Sequence, residues 1–366
     1  MESFRDPSRT FAAQPPRLGT VLARIDFGRG QEALYHDQLP ALLRALAEQT
    51  KVASITASNA IEGVVVDPDR AERIIEAAEP PRFRNRNERE FAGYKDAIEE
   101  IMRSDSLEPL SLPFILHIHR QLLRHVSGRG GYLKTDDNMV VRYEDGQRIV
   151  VYEPPPWQET EHLMTELVAR YNEASSAGLA HPIVLMAAFI LDFLAIHPFA
   201  DGNGRVARIL TSYLLLRDGY GVSRYVSVEQ RVFESKNSYY ASLYESQQGW
   251  RAGEHTIWPW VEYISSILAD AYDAFEHRVA DEHGPGALSK QERVRVHVLE
   301  HAPVAFRLAD LRRALPGISD GTIRLVLNNL KDAGKVTSSG PGRSSTWERV
   351  VEQATSAGGV SSPSSG

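Results

Sequence analysis

The sequence predicts a mainly α-helical protein in two parts: a large helical body with one small β-hairpin, and a smaller basic unit of short helices closed by two strands. Three observations predict this. Apolar residues recur at helical spacing through most of the first 280 residues. Asp145-Gly146 separates two β-rich runs, which is a hairpin signal. Gly284-Pro285-Gly286 then interrupts the chain, and the charge changes sign across it. Residues 288–350 hold 11 Lys+Arg against 6 Asp+Glu, a net of +5, while the rest holds 30 against 42, a net of −12.

A chain of 366 residues has room for two or three domains. Its net charge of −7 argues against nucleic-acid binding by the whole chain, though not by one basic unit. The absence of cysteine excludes disulfides, thiol catalysis and Cys-based zinc sites, and suits a reducing compartment. Met1-Glu2-Ser3-Phe4-Arg5-Asp6 shows no signal-peptide pattern. The longest apolar run, Pro182 to Ile196, is shorter than the ~20 residues that span a bilayer, and Asp192 interrupts it. The expectation is a cytoplasmic protein that makes no membrane contact.

Residues 1 to about 30 are rich in Pro, Arg and Gly and read as an irregular lead-in. Helices follow from Leu34 to Glu48 and from Lys51 to Ile61, where Gly63 is a C′ stop. Ser58 and Glu62 stand four apart on one face of the second. After a break at Pro80-Pro81, helices run from Asn87 to Met102 and from Leu112 to His125. His117, His119 and His125 make a poor metal set, since the first two point to different faces and no carboxylate joins them. The turn cluster Gly128-Arg129-Gly130-Gly131-Tyr132 leads into the hairpin of Met139-Val140-Val141 and Ile149 to Tyr152. Further helices run from Thr160 to Ser175 and from Thr256 to Arg278, with Trp258 and Trp260 as packing residues.

The stretch His197-Pro198-Phe199-Ala200-Asp201-Gly202-Asn203-Gly204-Arg205-Val206-Ala207-Arg208 joins two apolar helices. Gly202 and Gly204 let the backbone turn and approach a ligand. Asn203 and Gly204 would open the second helix, whose free N–H groups and dipole make an anion site. Arg205 and Arg208 can fork onto phosphate oxygens, and Asp201 can hold a bridging Mg²⁺. His197 can take a proton from an attacking hydroxyl.

That twelve-residue run resembles the active-site motif of Fic-domain proteins, H-x-F-x-[DE]-G-N-G-R-x-x-R, at every fixed position. The resemblance implies a Fic-type helical core and transfer of AMP from ATP to a Ser, Thr or Tyr hydroxyl of a target protein, with Mg²⁺. It assigns His197 as base, Asp201 to the metal, and Gly202, Asn203, Gly204, Arg205 and Arg208 to the phosphates. Ser58-Asn59-Ala60-Ile61-Glu62-Gly63 is similar to the family's inhibitory-helix motif. There Glu62 would take Arg208 away from the ATP γ-phosphate. Asn237-Ser238-Tyr239-Tyr240 is similar to a segment that places Asn237 and Tyr240 near the adenosine. Gly131, Tyr132, Met139, Val140 and Val141 fall where the family has a flap that pairs with the target segment by strand addition. Here Leu133-Lys134 stands in place of the arginine usual after the aromatic.

The helices Lys290 to His301, Leu308 to Leu315 and Ser319 to Ala333 are followed by strands 335–337 and 345–348 around Gly340-Pro341-Gly342. This order resembles a winged helix-turn-helix. Arg324 and Lys331 beside a Gly-rich wing fit DNA contact; protein docking or scaffolding fits as well. A homodimer is left open. The divisions expected are an N-terminal helical region, 1–110, with the inhibitory helix near 51–63; a Fic core, 111–280; a linker, 281–287; the winged helix, 288–350; and a disordered tail, 351–366. Alternatives are removal of AMP from a modified target, with Glu62 orienting water, and a DNA-binding regulator whose Fic part senses nucleotide. Gly204 argues against phosphoryl transfer, which family members with Lys at that position perform.

Overall fold

The computed structural model describes residues 2–77, 81–103, 107, 109–126, 130–144, 147–283, 290–315, 318–339 and 346–350. Pro80, Gly128-Arg129, Asp145-Gly146, residues 284–287 of the expected linker, Gly340-Pro341-Gly342 and the tail 351–366 lie outside the described residues. The chain divides into two compact units, Met1–Val279 and Ala280–Gly366.

The first unit is helical apart from its hairpin. Its helices are α1 (Pro7–Ala12), α2 (Pro16–Gln38), α3 (Pro40–Ile61), α4 (Pro68–Glu76), α5 (Arg86–Arg103) and α6 (Leu112–Leu122). The antiparallel strands β1 (Val140–Glu144) and β2 (Gln147–Tyr152) follow, with Val141 opposite Val150. Then come α7 (Thr160–Ser176), α8 (Pro182–Ile196), α9 (Asn203–Arg217), α10 (Val228–Glu234), α11 (Lys236–Gln247) and α12 (Trp258–His283).

Every side chain from Ile183 to Ile196 is buried. A helix apolar on all sides needs neighbours all round, and α8 is the centre of the body, packed on α7, α9 and α11. Its one charge, Asp192, accepts hydrogen bonds from the Ser3 N–H (3.1 Å), the Ser3 hydroxyl (2.6 Å) and the Trp250 indole (2.6 Å). Trp260 is buried and donates to the Ala187 carbonyl at 2.9 Å.

Several boundaries differ from the sequence reading. The first 30 residues are largely helical: α2 buries Leu18, Leu22 and Ile25 along one stripe. Its glycines lowered the propensity signal, but Gly28 is where the Tyr272 ring packs, 2.6 Å from where a Cβ would stand. The expected break near residue 50 is absent; α3 runs on through buried Thr50. Residues 281–283 end α12 rather than starting a linker, and α6 stops at Leu122.

The second unit contains α13 (Lys290–Val296), a π-turn at His297–His301, β3 (Ala305–Arg307), α14 (Leu308–Ala314), α15 (Asp320–Asp332), β4 (Val336–Ser339) and β5 (Thr346–Arg349). The sheet order is β3-β5-β4, antiparallel throughout. The strand β3 was not anticipated; at three residues it carries no readable alternation. The unit has its own core, in which Val294, Val298, Phe306, Leu311, Ile323 and Leu327 are buried.

Candidate active site

The loop between α8 and α9 begins with backbone strain. His197 caps α8 in the left-handed region, φ 51°, ψ 61°, and among the described residues no other non-glycine has a positive φ. Such a conformation costs about 1–3 kcal/mol and persists where surroundings over-determine it. Phe199 is fully buried, with its ring 3.8 Å from that of His119 in a stacked pair. The Asn203 side chain closes the loop, accepting from the Phe199 N–H at 2.9 Å and donating to its carbonyl at 2.7 Å. Gly202 has φ 85° and lies where a Cβ would stand 2.9 Å from Leu122.

The His197 ring is held through one nitrogen. Its Nδ1 lies 3.3 Å from the Leu194 carbonyl, so Nδ1 carries the proton and Nε2 keeps its lone pair. Burial pushes its pKa down to about 4; Lys134 adds to the shift, and the Leu194 carbonyl and Glu62 oppose it. The imidazole is therefore neutral at pH 7.

Helix α9 opens at Asn203, and its ladder starts with the Val206 N–H to the Gly202 carbonyl. The N–H groups of residues 203–205 precede that ladder and form the positive end of the helix. The Glu62 carboxylate stands at this end: a Cβ on Gly204 would overlap Glu62 Oε1. Glu62 is the C-cap of α3, followed by Gly63 at φ 76°. Its Oε1 is 2.9 Å from Arg208 Nη2. Arg208 is buried and also donates from Nε to the Ser58 hydroxyl (2.7 Å) and from Nη2 to the Ser58 carbonyl (2.9 Å). Burial works against its charge, but Glu62, Tyr239 and Tyr94 hold its pKa above the usual arginine range.

The other arginine has different company. Arg205 Nη1 is 2.8 Å from Glu90 Oε2, and its Nη2 is 3.6 Å from Asp201 Oδ1. Arg86 bridges the same two carboxylates, at 2.5 Å from Glu90 and 3.3 Å from Asp201. Asp201 is half-exposed, and both its arginine contacts are long. A carboxylate held that loosely fits Mg²⁺, which binds through one or two carboxylates plus substrate phosphates. No group of three or more His, Cys, Asp or Glu fit to hold a metal occurs among the described residues.

Asn203 is thus a loop-closing side chain, and only its backbone N–H faces the anion site. Asn237 is exposed on the first turn of α11. Tyr240 is 42% exposed, and the core aromatic of that pair is Tyr239, which packs edge-on to Trp260. Both tyrosines lie within the electrostatic reach of Glu62. Lys236 caps α3 at the Ile61 carbonyl, 2.6 Å away. Val140 and Val141 are in β1 and Met139 immediately precedes it, but Gly131 and Tyr132 lie outside the strands. Gly131, at φ 88°, donates its N–H to His119 Nδ1 at 3.1 Å and packs on Arg120, so it belongs to the floor of the site.

Sequence reasoning missed Glu90, Arg86, His119, Lys134 and Asn138. The three histidines of α6 and its C-terminal turn take three separate partners: Glu100 for His117, Asp96 for His125, and the Asp201 carbonyl for His119, at 3.2 Å. Because His119 Nδ1 accepts from Gly131, its Nε2 is the donor. Nothing in the local pattern distinguished it from its neighbours.

Residues 109–215 match the Fic/DOC family model. They contain the whole loop, α8 and most of α9. Among curated proteins, the chain is 25% identical over 221 residues to a protein adenylyltransferase Fic from Nematostella vectensis, covering 60% of this chain and 47% of the relative. It is 29% identical over 184 residues to one from Aedes aegypti, covering 50% and 32%. The chain therefore spans about half or less of these relatives' length. Its fold is similar to that of a Fic family protein from Desulfovibrio desulfuricans G20, with TM-score 0.60 and 21% identity over 93% of this chain and 98% of that one. The mainly helical body with small antiparallel sheets matches that fold.

Proposed function

We propose that this protein is a protein adenylyltransferase, transferring AMP from ATP to a hydroxyl side chain of a target protein and held inactive by Glu62. The observation that carries this reading is the Glu62 carboxylate seated at the N-terminus of α9 and paired with Arg208, beside a neutral His197. An anion site filled by the chain's own carboxylate is one that a phosphate group can also fill.

In the open state, residues 203–205 and Arg208 bind the ATP phosphates, and Arg205 orients Asp201. Mg²⁺ held by Asp201 would neutralise phosphate charge. His197 Nε2 takes the proton of the target hydroxyl. The hydroxyl oxygen bonds to the α-phosphorus as the bridging bond to the β-phosphate breaks, and pyrophosphate leaves. The chain's share of catalysis is positioning and charge stabilisation.

The test compares α-labelled with γ-labelled ATP, using wild type and Glu62→Gly alone and in lysate. The variant should gain α-label incorporation by on the order of a hundredfold, because Arg208 is released and the α-phosphorus can align. Equal incorporation by both proteins rejects the inhibitory role; γ-label transfer moves the assignment to phosphoryl transfer. A second reading is favoured by the proximity of Glu62 to His197, whose titration it influences. In that reading Glu62 orients a water that strips AMP from a modified target. Loss of de-AMPylation in Glu62→Gly, without gain of transfer, would select it.

The second unit supports a winged helix-turn-helix reading, since β3 precedes two helices and pairs with β5 of the final two strands. Arg324, Asn328 and Asn329 are exposed on α15.

A further inference from the structure

We propose that Lys134 and Asn138 are positioning residues that hold the backbone of residues 196–199 and thereby fix His197 in its left-handed conformation. The inference rests on the reading of His197 as the transfer base. A helix end leaves carbonyls without intrahelical partners, and the close of α8 does so in a dry interior. The carbonyls of residues 196–199 all accept from this pair, that of Phe199 sharing it with the Asn203 amide. Lys134 Nζ donates to the Ile196 carbonyl at 3.2 Å, and the Lys134 N–H to that of Pro198 at 2.8 Å. Asn138 Nδ2 donates to the carbonyls of His197 (3.2 Å) and Phe199 (3.0 Å).

The pair is internally complete. Lys134 Nζ also donates to Asn138 Oδ1 and the Pro155 carbonyl, both at 2.9 Å, so its three donors have three acceptors. A fully satisfied network of this kind, with Lys134 buried and Asn138 half-buried, rigidifies what it touches. Lys134 is only 3% exposed, an unusual place for an ammonium. Met139 and β1 follow Asn138 directly, so the hairpin and the loop share one brace.

The ammonium has a second effect through charge. The charged groups that reach His197 are Lys134 and Glu62, of opposite sign, and Asp137 reaches Lys134. Burial brings Lys134 down to about 8, leaving it protonated at pH 7. A cation there opposes imidazolium and adds to the effect of burial, which is the larger cause.

The test uses the full chain carrying Glu62→Gly, with Lys134→Met or Asn138→Ala added. Lys134→Met should lower kcat for AMP transfer about a hundredfold, with KM for ATP within about threefold of the parent. In histidine-labelled protein, the His197 imidazole titration followed by NMR should rise by about one pH unit in Lys134→Met, as the repelling charge is gone. Asn138→Ala should lose kcat with that titration unmoved, separating geometry from charge. A folded Lys134→Met with kcat and His197 titration equal to the parent overturns the proposal. If Lys134→Met does not fold, unchanged kcat in Asn138→Ala overturns it. If the Glu62→Gly parent transfers no AMP, the functional reading fails. The His197 backbone chemical shifts, which report its left-handed conformation, still decide the brace in wild type, Lys134→Met and Asn138→Ala, and unmoved shifts in both folded variants reject it.

Discussion

Arg205 and Arg208 stand three residues apart on α9, and each faces a carboxylate from an earlier helix. The two pairs are built differently. Glu90 comes from the second turn of α5, is 5% exposed, and is shared by Arg205 and Arg86. Glu62 is the C-cap of α3, its side chain is 31% exposed, and Arg208 keeps two bonds to Ser58 without it. Glu62 alone sits on the anion site. A carboxylate with solvent behind it and free helix N–H groups beneath it can be displaced by an anionic ligand. One locked between two arginines inside the body cannot. In the function proposed above, the difference separates a gate from a strut, although both are Glu–Arg contacts within one turn of helix.

The largest expected effect tests the strut. Glu90→Ala leaves a buried Arg205 short of its counter-ion, which costs on the order of 3–5 kcal/mol. Urea unfolding should show that loss, and transfer in the Glu62→Gly background should fall because Arg205 and Arg86 no longer hold Asp201. Glu62→Gly should cost less, about 1–2 kcal/mol, because buried Arg208 keeps its two bonds to Ser58. Equal destabilisation by the two variants would erase the distinction between gate and strut.

A smaller effect belongs to Ser58. Its hydroxyl accepts from Arg208 Nε, and its carbonyl, which Arg208 also uses, survives substitution. Ser58→Ala should loosen Arg208 by roughly 1 kcal/mol, raising AMP transfer about fivefold over wild type. A rise as large as that of Glu62→Gly would make Ser58, not the carboxylate, the hold on Arg208.

How the two pairs were or were not legible follows from chain separation. The loop 197–208 could be read because its chemistry is contiguous: turn glycines, two arginines and a histidine between apolar runs. Ser58 and Glu62 could be linked to each other by a four-residue spacing, though only a family resemblance linked them to Arg208, 150 positions from Ser58. Glu90 meets Arg205 across 115 positions, and His119 meets the Asp201 carbonyl across 82. Neither carries a local signature: Glu90 reads as one charge among many on an amphipathic helix, and His119 as one histidine of three. Lys134 looked like a departure from a pattern, because a lysine's burial depends on which carbonyls the fold leaves open. The helix α2 was missed for another reason. Its stability comes from burial of Leu18, Leu22 and Ile25 rather than from propensity.

The smallest effect concerns His197 and uses the gate as a probe of the base. His197 must be neutral to accept a proton. Its ordinary value near ~6.5 is pushed down to about 4 by burial, with Lys134 acting the same way and Glu62 opposing. Transfer by Glu62→Gly should therefore stay level from about pH 7 to about pH 5 and fall on the acid side only as pH approaches about 4. Removing Glu62 takes away a charge that favoured imidazolium, so the His197 titration should lie lower in the variant than in wild type, by a fraction of a unit. The stability consequence has a definite sign. The unfolded chain takes up a proton at His197 that the folded chain refuses, so stability is full above ~6.5 and declines as pH falls from there toward 4. NMR titration of the two proteins checks the shift, and the kcat–pH profile of the variant checks the limb. A limb near 6.5 would mean that His197 titrates as if in water, and that the dry pocket between Leu194, Lys134 and Glu62 does not shape the base.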